Sequence, residues 1–542
     1  MIRSRLADLL RPLTNFVTPE AEREPPTPFF TPEEIGRLHR VTADSRTELD
    51  AQTWQDLLLD PYEETLAQHT SIFGRQLLHR RLRAGLDDRE AAALGERLRG
   101  LLDDVPRIDA LGTALGPLRH AETEVAGLLY EGEAPHPPAW ARFTWVLPLL
   151  LILSLGLLLT QPLGWMATLA AVAPLMALQI AYHRRIEAWN HRLDSLQFLL
   201  AASGRLAALG GPLLEPFVAS RAESARLHGR LARPALFRMF PPAESYFNWF
   251  AAHNVRRYWR TMHAVHAARA FLRERYLEAA TLEADVCLAR HLRERAHWCW
   301  AERTPPRVLV LEEGVHPLMD TPIGLSVALE ERGAFISGQN ASGKSTFLRM
   351  VGLNLVAARA FGFCYARRAR LPAVPVRASM QNEDSLLGGE SLYMSELRRA
   401  RELLDAGGNP PGICLIDEVF RGTNHLESVS SAAAVLESLS ARDLVLVSSH
   451  NLVLARILGD KLEPFRIDTS GGAPRLVPGV LRDPNGIALL ATQGFGPEIE
   501  GRAAEVARWL SEHLAQQVRT PGSLRPIGTC SRSPGEATRP GP

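Results

Sequence analysis

A chain of 542 residues is too long for one hydrophobic core and implies about two to four domains, and its 46% hydrophobic content is that of a folded protein. With 61 basic against 60 acidic residues the net charge is +1, which excludes a chain that is basic throughout, as a general nucleic-acid binder would be, while allowing a local patch. Five cysteines, odd in number and without a C-x-x-C pair, point to a reducing compartment rather than a disulfide framework.

In chain order, the opening MIRSRLADLLRPLTNF is too weakly apolar for a secretory signal. Residues 1–45 read as a short amphipathic start followed by the Pro-rich linker EREPPTPFFTPEE. Residues 46–300 read as an all-α domain, with apolar residues at three- and four-residue spacing in TWQDLLLDPYEETLAQH and GRQLLHRRLRAGL. That pattern is interrupted at 143–182, where no residue is charged. The run divides at TQPLGW into two apolar segments of about 18 residues, each long enough for a tilted bilayer crossing. Pro162 and Gly164 supply the turn. Arg142 flanks one end and Arg184 and Arg185 the other, so the positive-inside rule puts both ends in the cytoplasm. The alternative is a helical hairpin buried inside a soluble domain. Between Arg221 and Tyr276 stand eleven arginines against three glutamates, interleaved with aromatic residues. Such a segment suits phosphodiester or lipid headgroups, or is simply a helix with one solvated and one packed face.

Residues 301–515 read as an α/β domain. The stretch FISGQNASGKSTFLRM holds G-x-x-x-x-G-K-S from Gly338 to Ser345, after the short apolar strand GAFIS and before an apolar-striped helix. Of the 61 basic residues only Lys344 and Lys461 are lysine. A lysine at the motif's prescribed position in an arginine-based chain suggests a compact ammonium among phosphates, where a planar guanidinium is too wide. Gly338 and Gly343 let backbone N–H groups and the helix N-terminus face phosphate oxygens, and the Ser345 hydroxyl can ligate Mg²⁺. Downstream, GICLIDEVF reads as a buried strand ending in Asp417, suited to the shell of Mg²⁺, and Glu418, suited to polarising water. Ser391 opens a helix after a glycine pair, either as an ordinary N-cap or as a second anion site that a partner subunit would complete. DLVLVSSHN is a further buried strand, ending at His450, from which an imidazole could sense a γ-phosphate. Residues 516–542, rich in Pro, Gly, Ser and Thr, read as a disordered tail.

Residues 307–515 resemble the ATPase domain of the MutS mismatch-repair family, a branch of the ABC-type P-loop NTPases. The family's G-P-N-M-G-G-K-S-T reads G-Q-N-A-S-G-K-S-T here, from Gly338 to Thr346, with Asn340, Lys344 and Ser345 in place; D-E-x-x-R-G-T is matched from Asp417 to Thr423. SLYMSEL is similar to the family's S-T-F-M-x-E-M, and GVHPL to its entry into this domain. The resemblance implies ATP and Mg²⁺ as ligands, with His316 beside the adenine and Ser391 offered across a homodimer to the partner's γ-phosphate. It places dimerisation helices near the end of the domain. More weakly, TSIFGRQLLHRRL resembles the family's core stretch, with Gly74, Leu77 and Leu78 in place, so the helices around the hairpin are candidate lever helices. No F-x-E mismatch-reading motif is found, and a membrane hairpin stands where the family inserts its DNA clamp. The expectation is an α/β P-loop NTPase domain behind an all-α lever-like core with a two-helix transmembrane hairpin. Its expected activity is ATP hydrolysis that gates DNA binding, or, as the alternative, a membrane mechanochemical or scaffold ATPase acting on lipid or protein.

Overall fold

The structure is a computed structural model that describes residues 29–42, 49–132, 136–234, 237, 241–339, 342–380, 392–406, 411–420, 424–481 and 494–517. Asn340, Ser391, residues 421–423, most of 1–45 and the tail beyond 517 lie outside the described residues. The chain divides into two compact units: Met1–Glu48, Asp60–Ala296 and Ala360–Gly362 form one, and Leu49–Leu59, His297–Arg359 and Phe363–Pro542 the other.

The first unit is helical, as expected. Its helices include α1 (Ile72–Ala84), α2 (Val146–Thr160), α3 (Gly164–Leu209), α4 (Pro241–Ala251), α5 (His253–Ala267) and α6 (Arg269–Glu294). A buried carboxylate joins the two ends of this unit's sequence. Glu283 of α6 accepts from the Ser71 and Gly74 backbone N–H groups, both at 3.0 Å, at the start of α1. The unpaired N–H groups and positive end of a helix favour an anion there. A Cβ at Gly74 would come within 2.8 Å of that carboxylate and 2.4 Å of the Thr70 methyl, so only glycine fits. Two residues further, buried Asp285 accepts from Arg81 at 2.8 Å and Arg97 at 2.6 Å.

The apolar run forms a helical hairpin with unequal arms. α2 has 15 residues and α3 has 46, and the turn between them falls at TQPLGW as expected. Gly164 is required there, because a Cβ would lie 2.4 Å from the Leu158 backbone. α3 does not stop at Tyr182 where the apolar pattern ends; it runs on to Leu209, because nothing breaks it before Gly210 at φ +64°. Loss of apolar character changes what a helix faces, not whether it continues. Among the described residues α3 is the one helix long and apolar enough to cross a membrane by itself, and only 22% of its apolar stretch is buried. The apolar stretches of the two arms therefore do not form the interior of the helical unit, whereas beyond Ile186 α3 enters it with buried Trp189, Leu193, Leu196 and Leu199.

The second unit is α/β. In chain order it holds β1 (Val308–Gly314), β2 (Leu325–Glu330), β3 (Gly333–Gly338), α7 (Lys344–Phe361), β4 (Arg368–Pro372), β5 (Val376–Ser379) and α8 (Leu392–Ala406). There follow β6 (Ile413–Asp417), α9 (His425–Ser440), β7 (Leu444–Ser448), β8 (Leu462–Asp468) and β9 (Arg475–Pro478). Six strands pair in the order β9-β8-β3-β7-β6-β5, parallel except for the edge strand β9. β3 and β7 are buried along their whole length, as central parallel strands covered on both faces must be. A second sheet pairs Glu302–Thr304, β4, β1 and β2.

The β5 edge is closed by a segment from far upstream. In the short helix Ala51–Asp56, the Thr53 hydroxyl accepts from Ala378 N–H and the Asp56 carboxylate from Met380 N–H, both at 2.9 Å. Arg399 of α8 ties the same segment at Asp50, 3.1 Å away. An open strand edge is a site for unwanted pairing, and here it is covered. Asp56→Ala leaves a buried N–H without its acceptor and should destabilise the α/β unit by about 1–3 kcal/mol. Urea unfolding followed in that unit checks this; an unchanged midpoint would mean that the edge is held by other contacts.

Candidate active site

β3 ends at Gly338 and α7 begins at Lys344, so the G-x-x-x-x-G-K-S string is the loop between a central strand and its helix. Its two glycines answer to different constraints. A Cβ at Gly338 would sit 2.5 Å from Ser342 Oγ, whereas Gly343 has φ +93°, a conformation that side chains resist. Lys344 is buried, and its ammonium donates to the carbonyls of Gly338 at 3.1 Å and Gln339 at 3.0 Å. Burial pulls its pKa below the usual lysine value, and the charges of Glu418 and Asp417 oppose that fall. Ser345 is half-buried in the first turn of α7, and Thr346 is exposed.

Ser342 was not singled out in the sequence, yet its hydroxyl is buried and has no hydrogen-bond partner among the described residues. A buried polar group without a partner is costly, so an orphaned donor inside a loop of this kind fits the oxygens of a bound phosphate.

The acidic groups come from the neighbouring strands. Register pairs Ser448 at the end of β7 with Asp417 at the end of β6 on one side and with Ile336 of β3 on the other. The Ser448 hydroxyl donates to the Asp417 carboxylate, and the Glu418 N–H donates to the Ser448 carbonyl at 3.0 Å. Glu418 and Phe420 both have left-handed backbones, at φ +56° and +57°. For residues with a side chain this costs roughly 1–2 kcal/mol each, a strain that concentrates at functional sites. Buried Phe420 packs edge-on to Tyr393 and anchors the strained turn. His450 Nε2 lies 2.8 Å from Glu418 Oε1.

Lys344, Asp417, Glu418 and His450 are thus gathered at the carboxyl ends of β3, β6 and β7, the edge at which open parallel sheets bind ligands. His316 comes from a different element. It is buried in the loop after β1, where its Nδ1 accepts from Leu318 N–H at 3.3 Å, and no hydrogen bond or ion pair among the described residues joins it to the other four. Burial, and secondarily Arg349, hold its pKa down at about 4. No group of three His, Cys, Asp or Glu that could cage a metal occurs among the described residues. Mg²⁺ shared with phosphates needs only one or two protein donors, which Ser345 and Asp417 could supply.

Residues 334–465 match the protein family described as MutS domain V. Over 192 residues the chain is 30% identical to the DNA mismatch repair protein MutS of Granulibacter bethesdensis, covering 33% of this chain and 21% of that protein. The MutS of Thermus aquaticus is 31% identical over 209 residues, 36% of this chain and 25% of that one. The MutS of Synechococcus sp. is 29% identical over 263 residues, 44% and 30% respectively. The chain therefore spans less than a third of the length of these relatives.

The buried imidazole has a measurable consequence. With its pKa lowered to about 4, folded His316 refuses a proton that the unfolded chain accepts below its ordinary 6.5. The stability tied to the neutral ring is complete above about pH 6.5 and is lost as pH falls toward about 4. His316→Gln should therefore flatten the fall of the α/β unit's urea midpoint between about pH 6.5 and 4.5. An unchanged slope would show that this ring titrates normally.

Proposed function

We propose, from the premise that the chain belongs to the MutS family through its domain V, that it is a membrane-anchored ATPase whose cycle gates DNA binding in a mismatch-repair or recombination-like role. The observation that carries this reading is the convergence of a buried lysine, an orphaned hydroxyl and a carboxylate pair at one edge of the parallel sheet. Lys344 and the loop N–H groups hold the phosphates of ATP, and Ser342 donates its unpaired hydroxyl to them. Ser345 and Asp417 would hold Mg²⁺, which when bound neutralises charge on the phosphates.

Glu418 is the general base for the attacking water. Its contact with His450 keeps the carboxylate oriented at the strand end, and the strained backbone there holds it in a fixed place before reaction. Ser391, by the family resemblance, completes the site of a second copy, so the active species is a homodimer with two composite sites. The exposed apolar hairpin supports anchoring through residues 143–182 in the cytoplasmic membrane, with both termini and the ATPase on the cytoplasmic side.

The same hairpin favours a second reading. Apolar patches of this extent on a protein surface mark membrane or protein contacts, and an ATP cycle could work against a lipid or protein partner without DNA. One assay separates the two. Full-length protein in vesicles, titrated with duplex and branched DNA at several salt concentrations, should hydrolyse ATP at a DNA-dependent, salt-sensitive rate. Glu418→Gln should keep ATP binding and lose about 10²-fold or more of the turnover. Turnover that ignores DNA would select the second reading, and full turnover in Glu418→Gln would remove this residue from the chemistry.

A further inference from the structure

The Arg- and aromatic-rich segment acquires a place once the hairpin is folded. α4 lies against both arms of the hairpin. Ser245, Tyr246, Trp249 and Phe250 line an apolar groove with Val172, Leu175 and Met176 of α3, and the groove encloses about 370 Å³. The chain turns into α5 at Ala252, a buried residue with φ +47° wedged among Leu151, Ala171 and Leu175 of the two arms. Two polar groups of α4 are occupied: the Asn248 backbone carbonyl accepts from Gln179 Nε2 at 2.5 Å, and Glu244 pairs with Arg233 at 3.5 Å. Gln179 also exchanges hydrogen bonds with Asn254 of α5, at 3.1 and 2.7 Å, so the amide of an apolar stretch of α3 fastens both α4 and the start of α5.

The aromatic side chains are not hidden by this docking. Tyr246 remains 66% exposed, Trp249 49% and Phe250 52%, an apolar surface continuous with the exposed face of α3 at Met176 and Ile180. Their level along the hairpin follows from helix geometry. At about 1.5 Å per residue, Val172 to Gln179 lie about 12 to 22 Å from the turn at Gly164. Arg184 and Arg185 lie about 30 Å away, which is the thickness of a hydrocarbon core. α2, at about 22 Å, is shorter than that core, and Leu151 of α2 packs at the level where α4 is docked. Trp140, Tyr258 and Trp259 cluster around Tyr182 at the base, beside the exposed Arg256 and Arg260. Aromatic residues bounded by arginines mark the depth of lipid headgroups.

We propose that α4 lies within the cytoplasmic leaflet as a third, non-spanning apolar element. Tyr246, Trp249 and Phe250 contact phospholipid acyl chains, and Arg256 and Arg260 meet the phosphates. The proposal rests on the reading of residues 143–182 as a membrane hairpin. A soluble partner or a second copy could cover the same face, but only a bilayer explains why it continues a charge-free hairpin and ends at an aromatic and arginine border at the expected depth.

The test uses full-length protein in vesicles of phosphatidylcholine and phosphatidylglycerol. A benzophenone-bearing phenylalanine analogue is placed in turn at Phe250, at Leu153 of α2 and at Glu223 on an exposed helix, and lipid adducts are counted after illumination. Phe250 and Leu153 should both yield lipid adducts at least about tenfold above Glu223, because the bilayer core admits only apolar surface. Lipid adducts from Leu153 but not from Phe250, or Phe250 joined to a second copy of the chain, would overturn the placement of α4 while leaving the hairpin in the membrane. Lipid adducts from neither would overturn the hairpin reading, and the placement of α4 with it.

Discussion

The parallel register of β3, β7 and β6 is the constraint on which the candidate site depends. Ser448 stands opposite Asp417 on one flank and Ile336 on the other, so β6 and β7 end level while β3 runs two residues further to Gly338 on the same edge. The loop after β3 supplies the cation and the amides, the turn after β6 supplies the acids, and the residues after β7 supply the imidazole. A slip of one residue would turn every side chain of a strand to the opposite face and separate these groups. The full burial of β3 and β7 makes that slip costly, since it would disturb packing on both faces of the sheet.

Strain is placed where the proposed chemistry would need fixed geometry. Glu418 leaves β6 in a left-handed conformation, held by its N–H on the Ser448 carbonyl and by the burial of Phe420 two residues on. Nearby, Lys344 is buried against loop carbonyls, and two carboxylates counter the loss of its hydration. Such a lysine is ready to exchange those carbonyls for phosphate oxygens without moving far. The site's charges are thus set before any ligand arrives, which is how oriented groups lower a barrier most effectively.

Much of this was legible in the sequence, for identifiable reasons. The loop string prescribes its own backbone, and the strands that end in Gly338, Asp417 and Ser448 are apolar enough to be read as buried. The hairpin turn was marked by Pro162 and Gly164. Other features depend on contacts between distant residues. The cover of the β5 edge joins Thr53 to Ala378, 325 residues away, and nothing in DAQTWQD announces it. The continuation of α3 past Tyr182 was hidden because the sequence changes polarity there without a helix breaker. The docking of α4 and α5 involves Gln179 finding the Asn248 backbone carbonyl and the Asn254 side chain, a match that periodicity cannot show.

The central claim is that ATP sits across the carboxyl ends of β3, β6 and β7. Amide hydrogen exchange of the full-length protein, compared with and without Mg²⁺-ATP, tests it most directly. Protection should rise in peptides that contain Gly338 to Ser345, Ile416 to Glu418 and Ser448 to His450, with little change along β9. Unchanged exchange in all three, or protection confined to another part of the chain, would contradict the account.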